Sequence, residues 1–131
     1  MAALDEQSKA ELADAWIAAQ ERSVHDSPAI QALIDYSYHD PELCWELVQL
    51  IHSRKISAEV RQSLAAGPIE DLLVYHPLGF FPHVKALAAC DKKFKQMLGG
   101  VWLDGNASPI WREFYEVAGV EPHFPPGWSK K

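Results

Sequence analysis

The stretch from Ser57 to Leu73, SAEVRQSLAAGPIEDLL, decides the fold of this chain. Ser57 carries the hydroxyl that caps a helix N-terminus, and Val60 and Leu64 follow at helical spacing on one face. Gly67-Pro68 then predicts a corner, because glycine accepts the left-handed conformation at a helix end and proline suits the first turn of the next helix. The leucines that close the stretch continue the apolar face, so two short helices are predicted.

The same start signals recur outward along the chain. Ser27-Pro28, Asp40-Pro41 and Ser108-Pro109 each pair a capping side chain with a first-turn proline, and Asp91 is a further cap. The chain is rich in Ala and Leu and contains no threonine, which favours helix over strand. We therefore expect an all-α fold, a compact array of seven or eight short antiparallel helices, with HEAT-like packing of hairpins as one arrangement.

The length of 131 residues fits a single domain. We expect one helical domain over residues 1–119 and an extended, Pro-rich tail over residues 120–131. The longest run without Lys, Arg, Asp or Glu is residues 72–84, shorter than the ~20 residues of a membrane span. The acidic N-terminus lacks the features of a signal peptide, and Cys44 and Cys90 form no CxxC motif, so a reduced cytoplasmic protein is expected.

Three segments of the chain share a pattern with a known family. They are PELCWEL at residues 41–47, LAAGPIEDLL at residues 64–73 and LGGVW at residues 98–102. Together they resemble a bacterial domain family of unknown function whose members read PEELWELI, LAAGPLEDLL and LLGGVW. The resemblance implies a compact, mostly helical domain and no assigned activity. The chain departs from the family pattern at Pro77, Phe80, Phe81 and Pro82, where a charged helix is more usual.

The acidic pair inside the second motif has a structural interpretation. Glu70 and Asp71 would lie in the first turn of the predicted fifth helix, where the helix dipole favours negative charge. We therefore expect them to stabilise a helix start rather than to take part in catalysis.

Histidine and aspartate supply the one candidate metal site. His39-Asp40, with His76 or His83, has the residue types with which helical phosphohydrolases hold a divalent ion and activate water. Asp40 precedes Pro41, however, and is better explained as a helix cap. No H-x-x-x-H pair or zinc spacing supports a site, so we expect no metal, no cofactor and no catalytic residue.

The basic cluster Lys85, Lys92, Lys93 and Lys95 surrounds Phe94. This combination can indicate nucleic-acid binding, but Phe94 fits a core stripe and the chain has a net charge of −6. We interpret the lysines as a solvated helix face and expect no direct contact with nucleic acid.

Acidic residues are concentrated in the first fifty positions, which hold ten acids and two bases, whereas residues 51–100 have a net charge of +3. We expect an acidic face with two apolar anchors, formed by the first and third helices if they pack side by side. Its residues are Glu11, Asp14, Ile17, Glu21, Glu42, Trp45 and Glu46.

The predicted function is a non-enzymatic protein-binding module, similar to an immunity protein or an inhibitor. Its partner would carry a basic surface, as toxins and nucleic-acid-handling proteins do. A small metal-dependent hydrolase and a structural or self-associating adaptor are the alternatives, and the sequence does not specify the oligomeric state.

Overall fold

A computed structural model of the chain describes residues 4–24, 26–105 and 107–120. Within these ranges the chain is helical and contains no strand, so the predicted all-α class is confirmed. The predicted tail lies outside the described residues apart from its first position. The α-helices are α1 (Glu6–Glu21), α2 (Pro28–His39), α3 (Pro41–His52), α4 (Ala58–Leu64), α5 (Glu70–Tyr75), α6 (Pro77–Cys90), α7 (Lys92–Met97) and α8 (Trp111–Ala118). No helix in this part of the chain is long and apolar enough to cross a membrane.

The corner predicted at Gly67-Pro68 is wrong. A π-helical turn, Ala65–Ile69, joins α4 to α5 without a break. The Ala65 N–H donates to the Arg61 carbonyl, and the Glu70 N–H donates to the carbonyl of Ala65, five residues earlier. In an α-helix the N–H at position 68 would bond the carbonyl four residues earlier, and Pro68 has no N–H. In a π turn each carbonyl accepts from the fifth residue after it, so the pattern does not depend on that bond.

The dipole interpretation of Glu70 and Asp71 is wrong for the same reason. Because α5 continues from the π turn, its first backbone N–H groups are already used within the helix, and no free helix start faces these carboxylates. Both side chains are half-buried, and that burial raises the pKa of each carboxyl above its usual value.

The predicted capping residues are present at four helix starts, whereas the start predicted at Ser108-Pro109 is wrong because α8 begins at Trp111 without a side-chain cap. Ser27, Asp40, Ser57 and Asp91 each accept a backbone N–H from the first turn that follows them. These bonds satisfy donors that a helix start leaves without an intrahelical partner. Asp5 caps α1 in the same way.

The α6 helix starts earlier than its proline content suggests. It begins at Pro77, and Pro82 lies inside it. An internal proline leaves the carbonyl four residues earlier, that of Leu78, without its usual donor. Leu78 and Pro82 are both exposed, so water can reach that carbonyl.

One hydrophobic core connects all eight helices. The first three helices contact one another, α5 contacts α2, α3 and α6, and α6 also contacts α7 and α8. Helical spacing in the sequence predicts buried positions for Leu47, Leu72, Leu98 and Phe114. All four side chains are buried.

The two glycine-containing motifs meet inside this core. A 3-10 turn, Leu98–Gly100, packs against the π turn. A Cβ on Gly100 would lie 3.2 Å from the Cβ of Ala65, closer than an ordinary van der Waals contact. Just beyond, the Trp102 N–H donates to the Glu70 carboxylate at 2.6 Å. Gly100 therefore lets the 3-10 turn lie close to the π turn, and the hydrogen bond from Trp102 to Glu70 holds the two segments together.

Tyr115 holds the loop that follows the 3-10 turn. Its hydroxyl donates to the Val101 carbonyl and accepts from the Leu103 N–H, both at 3.1 Å. Val101 and Leu103 are buried, so this hydroxyl satisfies backbone groups to which water has little access.

Leu72→Ala should lower the free energy of unfolding by about 2–5 kcal/mol, since it removes a fully buried side chain and leaves a cavity. Denaturant unfolding of the variant measures this. Leu78→Ala is the matched control, because the same atoms are removed from a side chain that is 75% exposed. Equal losses from the two variants would contradict the placement of Leu72.

Tyr115→Phe should lower the free energy of unfolding by about 1–3 kcal/mol, because buried backbone groups at positions 101 and 103 lose their partner. Tyr75→Phe removes the same atom from an exposed ring and should change little. Thermal melts of both variants test the difference, and an unchanged Tyr115→Phe melt would contradict the bridging role.

Candidate binding surface

The predicted acidic residues lie on α1 and α3, which contact each other. Glu11, Asp14, Glu21, Glu42 and Glu46 are all exposed. Two of them form ion pairs within the chain, Glu46 with Lys9 at 2.6 Å and Asp14 with Arg54 at 3.3 Å. Lys9 on α1 pairs with Glu46 on α3, and the later residue Asp14 pairs with Arg54, just beyond the end of α3. The two helices therefore run in the same direction. The structure therefore places Asp14 and Glu46 where α1 and α3 meet and pairs both with cations of the chain.

The two predicted anchors are less exposed than a free interface anchor would be. Ile17 and Trp45 are partly buried and pack against the core. The Trp45 ring meets Phe94 edge-on, with 6.0 Å between ring centroids, and lies 6.4 Å from the ring of His83. A substitution of Trp45 therefore affects core packing as well as the surface.

The alternative metal residues are occupied by other contacts. The carboxylate of Asp40 caps α3. The Nε2–H of His76 donates to the Tyr38 carbonyl at 3.2 Å, in the last turn of α2, where backbone carbonyls lack intrahelical donors. The ring of His39 contacts Tyr38, and that of His83 contacts Phe80. Among the described residues, no three His, Cys, Asp or Glu side chains form a group that could hold a metal ion.

A separate exposed apolar surface lies where α2, α5 and α6 meet. The rings of Tyr38 and Tyr75 contact each other edge-to-face, with centroids 5.1 Å apart. Ile34 lies one turn before Tyr38 on α2, and Leu78, the second residue of α6, lies three positions after Tyr75. We call this surface the tyrosine patch, and its exposed members are Ile34, Tyr38, Val74, Tyr75 and Leu78.

The sequence around the tyrosine patch carries negative charge without positive charge. Residues 23–53 and 62–84 contain no Lys or Arg, whereas the first holds five acids and the second holds Glu70 and Asp71. These are the segments that build α2, α3, α5 and the start of α6, which pack together. Charges counted in successive blocks of fifty residues hide this pattern, because Arg54, Arg61 and the α7 lysines fall in the same block as α5.

A model of a known protein family matches most of the chain. A family model described as "Family of unknown function (DUF6869)" matches residues 12–119. The chain belongs to this family. The match includes all three resembling segments, so the expected membership in a helical family of unknown function is confirmed. No curated protein and no solved structure matches the chain.

In this DUF6869 member the three segments are neighbours in space. The π turn of the second segment packs against α3, which carries the first, and against the 3-10 turn of the third. Cys44 of the first segment is buried, and its Sγ lies 3.9 Å from the Leu33 carbonyl. The buried side chains of the segments therefore lie at the centre of the fold, whereas Glu42, Glu46 and Trp102 are exposed.

Cys44 should not react with iodoacetamide at pH 8 in the folded protein, whereas the exposed Cys90 should. Burial, with the nearby carboxylates of Asp71 and Asp40, raises the pKa of the Cys44 thiol to about 12, so about one molecule in ten thousand is thiolate at that pH. Mass spectrometry should find one modified thiol in the native state and two in denaturant. Native labelling of Cys44 would contradict its burial.

Proposed function

We propose that this protein is a non-enzymatic protein-binding module whose partner presents a basic surface. The observation that supports the proposal is the tyrosine patch, an exposed apolar centre on segments that contain acids and no Lys or Arg. Tyrosine is enriched in interface centres, and contiguous exposed apolar surface marks interaction sites on otherwise polar proteins. The acidic face of α1 and α3 would extend the negative rim of the same interface.

The charge and the apolar patch would act on different rates. Carboxylates such as Asp35, beside Ile34 on α2, accelerate encounter with a basic partner and make association depend on salt. Rings that become desolvated in the complex slow dissociation. Tyr38 is suited to this role, because it is 57% exposed while its backbone carbonyl is fixed by His76.

The charge narrows the class of partner. Proteins that handle nucleic acid carry basic grooves, and an acidic protein can occupy such a groove in competition with the nucleic acid. We therefore propose an inhibitor-like or immunity-protein-like role towards a toxin or another nucleic-acid-handling protein, in the bacterial cytoplasm. The two free thiols are compatible with a reducing compartment.

Capture of the partner from the host, followed by binding kinetics with purified variants, tests this function. Tyr38→Ala and Leu78→Ala should each accelerate dissociation, with a loss of about 2 kcal/mol or more for a hot-spot tyrosine. Val24→Ala, an exposed aliphatic residue outside the patch, is the control for Leu78→Ala.

Charge reversal separates the electrostatic component of binding. Asp35→Lys should slow association most at low salt, whereas Glu59→Lys, at another exposed position on α4, should do so less. The variants Asp14→Lys and Glu46→Lys test whether the α1–α3 face belongs to the interface. A captured partner whose affinity ignores every one of these changes would refute the surface.

Self-association is the outcome that would favour the adaptor alternative. Analytical ultracentrifugation of the isolated protein distinguishes the two functions. A dimer that Leu78→Asp dissociates would show that a second copy covers the tyrosine patch, and would contradict a separate basic partner.

A further inference from the structure

A basic cavity lies away from the tyrosine patch, between the end of α3, the start of α4 and α7. Its volume is about 750 Å³, within the range of ligand pockets in proteins. Five of its lining residues follow one another at the end of α3, and the others come from α3, α4, α6 and the start of α7. The lining residues are Gln49, His52, Ser53, Arg54, Lys55, Ile56, Arg61, Leu87, Asp91 and Lys93.

The charges of this cavity oppose the charge of the protein. Its lining has four cationic side chains and one carboxylate, in a chain whose net charge is −6. Arg54 pairs with Asp14, outside the lining. Within residues 4–24, 26–105 and 107–120, Lys55, Arg61 and Lys93 form no ion pair with a carboxylate. The part of the chain that the structure describes therefore gives these three cations no carboxylate partner.

The carboxylate of Asp91 is already used on both oxygens. Oδ1 accepts the Phe94 N–H at 3.0 Å, and Oδ2 lies 2.9 Å from Nε2 of His52. These hydrogen bonds lower the pKa of Asp91, so the group stays ionised. Asp91 is therefore a fixed part of the wall rather than a competitor for the cations.

His52 orients Arg61. The Arg61 guanidinium can only donate, so its contact of 2.9 Å with Nδ1 means that Nδ1 accepts. Nε2 must then carry the proton that faces the Asp91 carboxylate. The neutral imidazole holds one nitrogen of the guanidinium fork, and the remaining N–H groups of Arg61 can face the cavity. A guanidinium fixed in this way is pre-organised for the oxygens of a phosphate.

A second cavity, of about 510 Å³, adjoins the first and shares Arg61 and Lys93 with it. Its floor includes Gly99 and Gly100, in the 3-10 turn that packs on the π turn. Arg61 and Lys93 therefore stand at the junction of the two cavities, and a ligand bound between them has space on both sides.

We propose that Arg61 and Lys93 bind the phosphate group of a small phosphorylated ligand, with Lys55 adding positive charge. Long nucleic acids fit this site less well, because binding them depends on many phosphate contacts, and a protein of net charge −6 repels a long polyanion. A compact dianion is attracted by the positive charges of the cavity, and because it is small it lies near fewer of the protein's acidic residues.

Amide NMR titrations of the full chain with inorganic phosphate, adenosine 5′-monophosphate and adenosine test the proposal. Both phosphates should shift amides around Arg61, Lys93 and Gly99, and adenosine should not. Tighter binding of the monophosphate would assign a phosphomonoester, and equal binding would assign free phosphate. Each result supports the site.

Lys93→Gln should weaken phosphate binding about tenfold or more, because a charge-assisted contact is lost. Lys92→Gln is the matched control: the same charge is removed from the adjacent exposed residue of α7, which does not line either cavity. We expect less than about a twofold change for the control. Lys93 is exposed, so its substitution should leave the fold intact, and circular dichroism checks this.

Three outcomes would overturn the proposal. The first is no shift in any amide at about 10 mM of either phosphate, well above a millimolar Kd. The second is equal weakening by Lys92→Gln and Lys93→Gln, which would indicate general charge attraction. The third is tighter binding of a single-stranded oligonucleotide than of the monophosphate, which would indicate a nucleic-acid surface.

Discussion

The close approach of two backbones at Gly100 and Ala65 is the constraint on which the rest of the structure depends. It places the 3-10 turn on the π turn, although Gly100 and Ala65 lie 35 positions apart in the chain. From this contact the chain runs directly to Trp102, whose N–H is held by Glu70, and to the loop that Tyr115 bridges. The α8 helix is thereby tied back to the centre of the fold. A Cβ at Gly100 would lie 3.2 Å from the Cβ of Ala65, so the two turns would have to shift apart slightly to accept it.

The predictable part of this fold is the part that depends on neighbours in sequence. The caps at Ser27, Asp40, Ser57 and Asp91 could be predicted because a short polar side chain and the N–H groups of the next turn are a local system. The corner expected at Gly67-Pro68 does not form. The local preference of these two residues favours a break, but in the fold the segment stays helical and packs against the distant 3-10 turn. The exposure of the five acidic residues follows from helical spacing, but the contact of Tyr38 with Tyr75 depends on the packing of α2 against α5. The sequence signal for this surface is the absence of Lys and Arg from residues 23–53 and 62–84. It becomes visible only when these two distant segments are compared.

Charge in this protein is sorted by element. Acids without bases occupy α2, α3 and α5, and the cations gather after α3, on α4 and on α7. His52 and His76 have comparable structural roles in the two regions. A ring nitrogen of His52 holds the Arg61 guanidinium, and a ring nitrogen of His76 holds the Tyr38 carbonyl at the end of α2. Both proposed sites are therefore supported by hydrogen bonds from histidine, although neither histidine is proposed as a ligand. A protein partner and a small anion could be bound at the same time, because the two sets of lining residues do not overlap.

The π turn also sets the angular phase of the helix that contains it. A π turn amounts to one residue inserted into an α-helix, so it rotates everything that follows by about 100° relative to an uninterrupted helix. With that rotation, Leu64 before the turn and Leu72 after it both point into the core, while Tyr75 points outward. Deletion of one residue between Leu64 and Leu72 would let the segment close as a regular α-helix with both leucines still on the core side, whereas insertion of a further residue would rotate the buried face of α5 by about 100°. The segment should therefore tolerate the loss of one residue better than the gain of one, and the loss should remove the π turn.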